Sequence, residues 1–509
     1  MKTPELERMH PASRRRFMKL LGAALAAPTI PAAIRYAVGD MVGSAEAQEP
    51  PMNFIEINLR DQWDHGHLFV APGLATYANL KRGESGRKAA MFYQMADLAQ
   101  RANNVYLTPE SMALDPHLDT IACIETCELS VGAIHGHEAA NALRSPGRSY
   151  DQTAGKMPMF QNDPVSNFPQ GVEEFYTTTP TPATLHNFWS KSKGNSPRNG
   201  IAFKGISRSI HTAYHFAAGL SGAELDRIQS KDALFQAFPE QVQDLNILPT
   251  AAEAETFRQI LAKVDPTFLE KRHYGQGAID SHTASLLEAE KLLFSNSTKV
   301  VSLPLTPEEE MYWGEGVPDQ ATDPASVKAQ IWEQVAYAYK IVESGMSRSV
   351  SLEFDYVDVH DQRTADQMNT MTLQVALSLS RLIAKLKEAG IYERTLIAIY
   401  TTDGGRSPAA GSAGNEGKNS IVLAGGMIKG GYWGDVGVAG DDGDGHVYSF
   451  RAPDPDTGAL LEASTSNDGR LPGAYVWRTV AKALGISDDV AGQFPDVAGA
   501  HALDFLLKG

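Results

Sequence analysis

Short apolar runs of strand length recur along this chain, and several are followed by segments with helical periodicity. The runs are NFIEINL at 53–59, ELSVGAIH at 128–135, SVSLEF at 349–354, LIAIY at 396–400 and IVLAGG at 421–426, with a helical pattern expected near 87–101. Parallel strands need helical crossovers, and a sheet covered on both faces reads as continuous apolar runs. The alternation therefore predicts an α/β fold with a mostly parallel sheet covered by helices.

The helix between the strands at 349–354 and 396–400 has the clearest pattern. Its apolar residues recur at steps of three and four, which places them on one helical face: Met368, Met371, Val375, Leu379, Leu382 and Leu386. Thr364 and Gln367 have the spacing of a capping box, and Gly390 is a helix stop signal. These features predict a βαβ unit.

Composition limits the function classes. The chain has 509 residues, 43% of them hydrophobic and 21% charged, which suits one large core or two smaller ones. It carries 45 Lys and Arg residues against 61 Asp and Glu residues, for a formal charge of -16. That sign is unfavourable for binding a phosphate backbone, so no nucleic-acid partner is expected.

The region at about 150–304 is predicted to be an insertion or cap over the sheet. It contains loops rich in Pro, Asn, Thr and Gly, followed by mostly helical stretches.

The first 47 residues have the layout of a twin-arginine (Tat) export signal. SRRRFMK at 13–19 precedes an apolar stretch and a small-residue cleavage site near Ala45–Ala47. The apolar stretch is shorter than the roughly 20 residues of a spanning helix. We therefore expect a signal at 1–47, one domain at 48–509, the Tat translocase as an export partner, and no stable membrane anchor after cleavage. The expected location is periplasmic or secreted; the alternative is an ordinary membrane anchor.

The two cysteines, Cys123 and Cys127, are separated by one helical turn if the segment is a helix. Residues four apart on a helix are poorly placed for a disulfide. Neither cysteine has the neighbouring His or Cys residues of a zinc site. Buried thiols are therefore favoured over a disulfide.

Acidic and histidine residues follow several of the predicted strands. They are Asp61, Asp64, His65 and His67; His135, His137 and Glu138; Asp355, Asp358, His360 and Asp361; Asp403; and His446 in the loop GDDGDGH. In open parallel sheets, ligands bind beyond the carboxyl ends of the strands. Carboxylates and imidazoles suit one or two divalent cations such as zinc, manganese, magnesium or calcium. Two such ions about 4 Å apart would suit ester hydrolysis. Each residue taken alone is better explained as a solvated loop acid or a capping Asp, so the prediction depends on their convergence.

Several motifs together resemble the domain-of-unknown-function 1501 family, a family of exported bacterial proteins in the alkaline phosphatase and sulfatase-like superfamily. The motifs are NLRDQWDHG, ALDPHL at 113–118, DYVDVHDQ at 355–362, TDGGRSP at 402–408, VLAGGMIKGGYWGD at 422–435 and the closing DGRLPGAYVWRTVAKALGISDDVAGQFPDV. The resemblance implies an alkaline-phosphatase-like three-layer α/β sandwich. It implies metal ligands at Asp64, Asp358, His360 and Asp403, to which Asp61 and His446 are added as candidates.

The chain departs from the family pattern at two positions. Gly136–His137 stands where the family tends to have Ser-His, and Glu416–Gly417 stands where it has Asp-His. A glycine is not a nucleophile, so metal-activated water would have to replace a side chain. His137 and Arg406 are the candidate catalytic residues, because an arginine suits an anionic ester. Two hypotheses stay open: a metal-dependent hydrolase of small phosphate or sulfate esters, and a catalytically inactive relative that binds a periplasmic or cell-surface partner.

Overall fold

The computed structural model of this chain describes residues 51–62, 68–76, 95–128, parts of 180–237, 303–319, 325, 329–354, 365–402, 418–441, 446–464, 471–494 and 497–508. Its strands are β1 (Asn53–Gln62), β2 (Ala99–Gln100), β3 (Tyr106–Leu107), β4 (Ile121–Glu128), β5 (Ile201–Phe203), β6 (Asp226–Ile228), β7 (Ser349–Phe354), β8 (Thr395–Thr402), β9 (Lys418–Ala424), β10 (Gly431–Trp433), β11 (Asp435–Asp441), β12 (His446–Arg451) and β13 (Leu471–Pro472).

The helices of the described residues alternate with these strands. They are α1 (Pro72–Ala75), α2 (Pro182–Ser192), α3 (Lys231–Ala237), α4 (Pro307–Gly314), α5 (Ile331–Ser344), α6 (Ala365–Glu388), α7 (Gly473–Ala483) and α8 (Asp488–Ala491). Short 3-10 segments occupy Met95–Asp97, Pro109–Thr120, Tyr392–Arg394 and Asp504–Leu506. None of the described helices combines the length and apolar character needed to cross a bilayer.

One sheet of nine strands organises the described chain. Its order is β10-β4-β9-β8-β1-β7-β5-β6, and β13 also pairs with β4. Every pairing in it is parallel except the two made by β9, which runs antiparallel to both β8 and β4. The prediction of a mostly parallel sheet is confirmed. The strand at 421–426 is also confirmed, but it runs against its neighbours, a direction that an apolar run does not encode.

The sheet is the middle of three layers. Ile55 and Ile57 of β1 pack into a core that includes α5 and α6, whereas Phe54 faces a second core that includes α2 and α7. Because alternate residues of a strand point to opposite faces, both faces of the central strands must be apolar. The α/β sandwich predicted from the sequence is therefore present.

Helix α6 confirms the βαβ unit. Met371, Val375, Leu379, Leu382 and Leu386 are all buried in one core. At its end Gly390 has φ +66°, its amide donates to Lys387 O at 3.0 Å, and the Ile391 amide donates to Leu386 O at 3.0 Å. This pair of bonds is a Schellman motif, which requires the left-handed residue that glycine adopts without strain. The predicted capping box at Thr364 and Gln367 and the side chain of Met368 lie outside the described residues.

Three local predictions differ from the structure. The helical pattern at 87–101 is wrong at its end, because Ala99 and Gln100 form β2. Cys123 and Cys127 lie on β4 rather than on a helix, although both are free and buried, as expected of thiols in a core. The predicted strand at 128–135 overlaps β4 only at Glu128, and residues 129–135 lie outside the described part.

Part of the region predicted as an insertion contributes to the main sheet. Strands β5 and β6 form one end of the sheet, and β5 pairs directly with β7. Helix α2 packs its buried residues into the second core. The described pieces between 182 and 237 therefore extend the sandwich, whereas the insertion at about 150–304 stays a prediction for the remaining residues.

Candidate functional site

Every strand of the main sheet except β9 brings its carboxyl end to one edge of the sheet. Strands β8, β1 and β7 are neighbours in that order, and β4 runs in the same direction one antiparallel strand away. Gln62 of β1 pairs with Thr402 of β8, and Leu59 pairs with Phe354, the last residue of β7. We call this edge the carboxyl edge. The chain therefore enters the segments that contain Asp64, Asp358 and Asp403 from three adjacent strand ends.

Most of the predicted site residues lie outside the described part of the chain. These are Asp64, His137, Asp358, His360, Asp403 and Arg406, together with the other strand-end acids and histidines named above except Asp61 and His446. The backbone of Asp61 lies within β1, whereas the sequence placed this residue after the strand. His446 is the first residue of β12, where it pairs with Asp441, and is therefore not in the predicted loop. Their side chains are not described. The structure establishes the converging strand ends, and the proximity of the side chains stays a prediction.

The segment containing Asp64 is held by hydrogen bonds on both sides. Before it, Gln62 is in register with Thr402. After it, Phe69 forms a bridge with Leu107, and the Val70 amide donates to Tyr106 O at 2.9 Å. Only residues 63–68 separate these two anchors. The entry and exit of this segment are therefore positioned by the sheet and by β3.

Five polar residues in the central strands form what we call the polar floor: Glu56 and Asn58 of β1, Ser351 and Glu353 of β7, and Tyr400 of β8. All are buried, and the register pairs Glu56 with Ser351, and Asn58 with both Glu353 and Tyr400. The Ser351 hydroxyl donates to Glu56 Oε1 at 2.6 Å, and the side-chain amide of Asn58 donates to the backbone carbonyl of Leu352 at 3.0 Å. Sequence reasoning missed this set. Its signal was polar residues at alternate positions of otherwise apolar strands.

The polar floor bears on whether a cation fits the carboxyl edge. Asn58 is 1% exposed, and its Oδ1 atom has no hydrogen-bond partner in the structure. A buried acceptor without a donor costs about 1–3 kcal/mol. Acceptor oxygens and buried carboxylates just below the strand ends suit a cation above them. Among the described residues, however, no three His, Cys, Asp or Glu side chains come together as a metal site.

A β-bulge strains β4 near the same edge. Glu125 and Thr126 interrupt the register between Ile124 and Cys127, and Thr126 has φ +62°, a rare value for a β-branched residue. Glu125 is fully buried; its Oε2 accepts from the Tyr432 hydroxyl at 2.6 Å, and its Oε1 accepts from the Thr126 amide at 3.0 Å. Burial raises the pKa of Tyr432, which keeps this hydroxyl a donor. Strained backbone of this kind concentrates at functional sites, which makes the bulge a second feature of the carboxyl edge.

The Thr126 hydroxyl has no hydrogen-bond partner although the residue is fully buried. We expect Thr126→Val to raise the free energy of unfolding by about 1 kcal/mol, because valine removes the unsatisfied hydroxyl and keeps the branched shape. Thr108→Val is the matched control, since the buried Thr108 hydroxyl accepts from the Ser111 amide at 3.2 Å. That variant should lose about 1 kcal/mol. Urea unfolding measures both, and destabilised Thr126→Val would mean that its hydroxyl has a partner.

The strand that follows Tyr432 is tied to α1. The Gly73 amide donates to Asp435 Oδ1 at 2.8 Å, and a Cβ atom at Gly73 would lie 2.6 Å from Val436 O, so only glycine permits this approach. Burial raises the pKa of Asp435, and nearby Glu125 raises it further, against the opposing hydrogen bond from Gly73. This contact holds the β11–β12 hairpin, which carries His446, against α1, the helix that follows residues 63–67 in the chain.

Solved structures similar to this chain were found, but they assign it neither a family nor an activity. No protein-family model and no curated protein sequence matches the chain. Similar solved structures include the phosphonate monoester hydrolase SpPMH from Silicibacter pomeroyi, with 11% identity over 90% of this chain and 76% of that one at a TM-score of 0.32. The PsFucS1 sulfatase from Pseudoalteromonas sp. has 13% identity over 100% of this chain and 77% of that one, with a TM-score of 0.32.

A third similar structure is the lipoteichoic acid synthase LtaP from Listeria monocytogenes, with 10% identity over 91% of this chain and 98% of that one at a TM-score of 0.33. Identities and TM-scores this low assign neither an activity nor a site residue. The α/β sandwich rests on the strand order and pairing described above, and membership of the family that the motifs resemble stays a proposal.

Proposed function

We propose that this chain is an exported metal-dependent hydrolase of phosphate or sulfate esters on an alkaline-phosphatase-like sandwich. The observation that carries the proposal is the adjacency of β8, β1 and β7, whose carboxyl ends lead directly into the segments with Asp64, Asp358, His360 and Asp403. Three neighbouring strand ends with the same chemistry are more informative than any of these residues alone. Export through the Tat translocase to the periplasm or beyond is part of the same proposal.

The proposed ligands are Asp61, Asp64, Asp358, His360, Asp403 and His446. A bound divalent cation would polarise the ester and make a bound water more acidic. The guanidinium of Arg406 would orient the anionic ester through paired hydrogen bonds. His137 would be the imidazole available to move a proton to or from the reacting oxygens. The buried acceptors of the polar floor would favour positive charge above them.

The experiment is metal analysis of the protein exported through its own signal and purified without chelator. We expect one or two equivalents of zinc, manganese, magnesium or calcium, lost in Asp358→Ala and His360→Ala. Asp456→Ala and His501→Ala are matched controls, because this exposed Asp and His pair at 3.1 Å without belonging to the carboxyl edge. The controls should keep the metal. Hydrolysis of 4-nitrophenyl phosphate or 4-nitrophenyl sulfate should follow the metal content.

A folded protein that holds no metal would overturn the hydrolase proposal. The second candidate, a non-catalytic protein that binds a periplasmic or cell-surface partner, would then be favoured. The sequence observation behind it is Gly136 and Gly417, which replace a potential nucleophile and a potential ligand. Metal without hydrolysis of either ester would contradict the catalytic part of the proposal and retain the metal site.

A further inference from the structure

A cavity of about 320 Å³ lies at the opposite end of β4 from the carboxyl edge. Its walls include Trp433, Lys429, Leu460 and Gly431. Gly431 pairs with Ala122, the second residue of β4, and the amide of Gly430 donates to Asp119 O at 3.0 Å, just before that strand begins. The cavity therefore lies along the amino-terminal half of β4, away from the ends of β8, β1 and β7 that lead to the proposed metal ligands. Its volume is at the lower end of the range for small-molecule sites.

A tight turn and glycines build one wall of this cavity. Asn103 and Asn104, between β2 and β3, have φ +57° and +60°, the pattern of a type I′ hairpin turn, which asparagine tolerates well. The side-chain amide of Asn103 donates to Gly430 O at 3.3 Å. The backbone carbonyl of Asn103 accepts from the backbone N–H of Tyr432 at 3.0 Å. The turn is thus fastened to β10. The cavity is preformed by backbone contacts, which reduces the ordering cost of binding.

The charge of the cavity differs from that of the chain. The whole chain carries -16, yet Lys429 is the one residue charged at neutral pH among the described residues that line the cavity. Lys429 is exposed, makes no ion pair within the described part of the chain, and holds its ammonium 5.9 Å from the centre of the Trp433 ring. No carboxylate belongs to the part of the lining that the structure describes. Lys429 therefore offers an anion a positive partner in this cavity, although the net charge of the protein opposes one.

The remaining lining is largely apolar. Trp433 is partly buried and packs on Phe505 at 4.8 Å between ring centres, while Leu460 stays 39% exposed at the wall. The Trp433 indole N–H is buried and has no acceptor in the structure, so the part of Trp433 that borders the cavity is its apolar ring. Apolar walls with few polar groups are typical of sites for small organic molecules.

We propose that this cavity binds a small organic carboxylate with a flat apolar body, with its carboxylate at Lys429 and its body against Trp433 and Leu460. The ammonium provides the charge complement, and the apolar walls provide the burial that a fully hydrated inorganic anion does not gain. This site is independent of the proposed hydrolase and would exist in a protein without metal.

The test uses 4-fluorobenzoate and its neutral analogue 4-fluorobenzamide as probes, with binding followed by fluorine NMR. We expect the carboxylate to bind the wild-type protein and to bind about 5-fold more weakly to Lys429→Met, the effect of about 1 kcal/mol from one exposed charge. The amide should bind both proteins equally. Trp433→Leu, which removes the flat ring against which the body of the probe is proposed to lie, should weaken the binding of both probes.

Two control variants make the test specific. Lys193 lies 4.6 Å from the Trp189 ring centre, a lysine on a tryptophan away from the cavity, so Lys193→Met should leave binding unchanged. Asp358→Ala should also leave it unchanged, which separates the cavity from the proposed metal site. The proposal is overturned if wild-type protein does not bind 4-fluorobenzoate, if Lys429→Met binds it as well as wild type, or if either control weakens binding equally.

Discussion

Lowering the pH from 7 to 4.5 is expected to reduce the free energy of unfolding by about 3 kcal/mol through His186 alone. This histidine is fully buried on α2, where Nδ1 contacts the Ser349 hydroxyl at 2.7 Å and Nε2 contacts the Ser190 hydroxyl at 3.1 Å. Burial, together with the nearby charge of Arg348, lowers its pKa to about 3. The folded protein therefore keeps the imidazole neutral.

The direction follows from proton binding. Below pH 6.5 the unfolded chain protonates this imidazole while the folded chain does not, so protons favour the unfolded state. This loss of unfolding free energy is absent above pH 6.5 and grows by about 1.4 kcal/mol for each pH unit down to about pH 3. Urea unfolding of wild type and His186→Asn at both pH values measures it. The variant should lose about 3 kcal/mol less than wild type; equal losses would show that His186 accepts a proton in the fold.

Gly430→Ala is expected to lower the free energy of unfolding by about 3 kcal/mol. Gly430 is buried between the end of the Pro109–Thr120 segment and β10, and a Cβ atom there would lie 1.8 Å from Leu118 O and 2.7 Å from Asp119 C. Both atoms belong to the backbone, so no side-chain rotation relieves the overlap. Either β10 or the segment before β4 has to move.

Gly440→Ala is the matched control for this prediction. A Cβ atom at Gly440 meets nothing within 4 Å. This variant should change the free energy of unfolding by no more than about 0.5 kcal/mol. Urea unfolding at neutral pH compares the two. Similar values for both variants would contradict the packing that we describe between β10 and Leu118.

The sequence predicted the central strands and helix α6 well because their signals are local. Apolar runs at 53–59, 349–354 and 396–400 correspond to β1, β7 and β8 within a few residues. The apolar stripe and Gly390 of α6 likewise depend only on residues a few positions apart. The prediction of a helix near 87–101 was wrong at Ala99–Gln100 because these two residues form a strand by pairing with β3, a contact that the local pattern does not show.

The candidate site was predictable only in part. That acidic and histidine residues follow strands could be read directly, and the parallel order of β8, β1 and β7 places those strand ends side by side. The polar floor was not predicted, because its meaning depends on register: Asn58 becomes significant only beside Glu353 and Tyr400. The bulge at Thr126 also escaped prediction, because the sequence analysis did not recognise β4 before Glu128.

The sequence by itself determined that this chain forms an α/β fold with a mostly parallel sheet covered by helices, because hydrophobic periodicity and helix end signals act over a few residues. Only the tertiary structure decided that β9 runs antiparallel, that segments near 201 and 226 extend the sheet, and that Lys429 and Trp433 wall a cavity beside the Asn103–Asn104 turn. These features join residues hundreds of positions apart. Their partners are selected by packing and backbone hydrogen bonding across the whole core, for which no local pattern carries a signal.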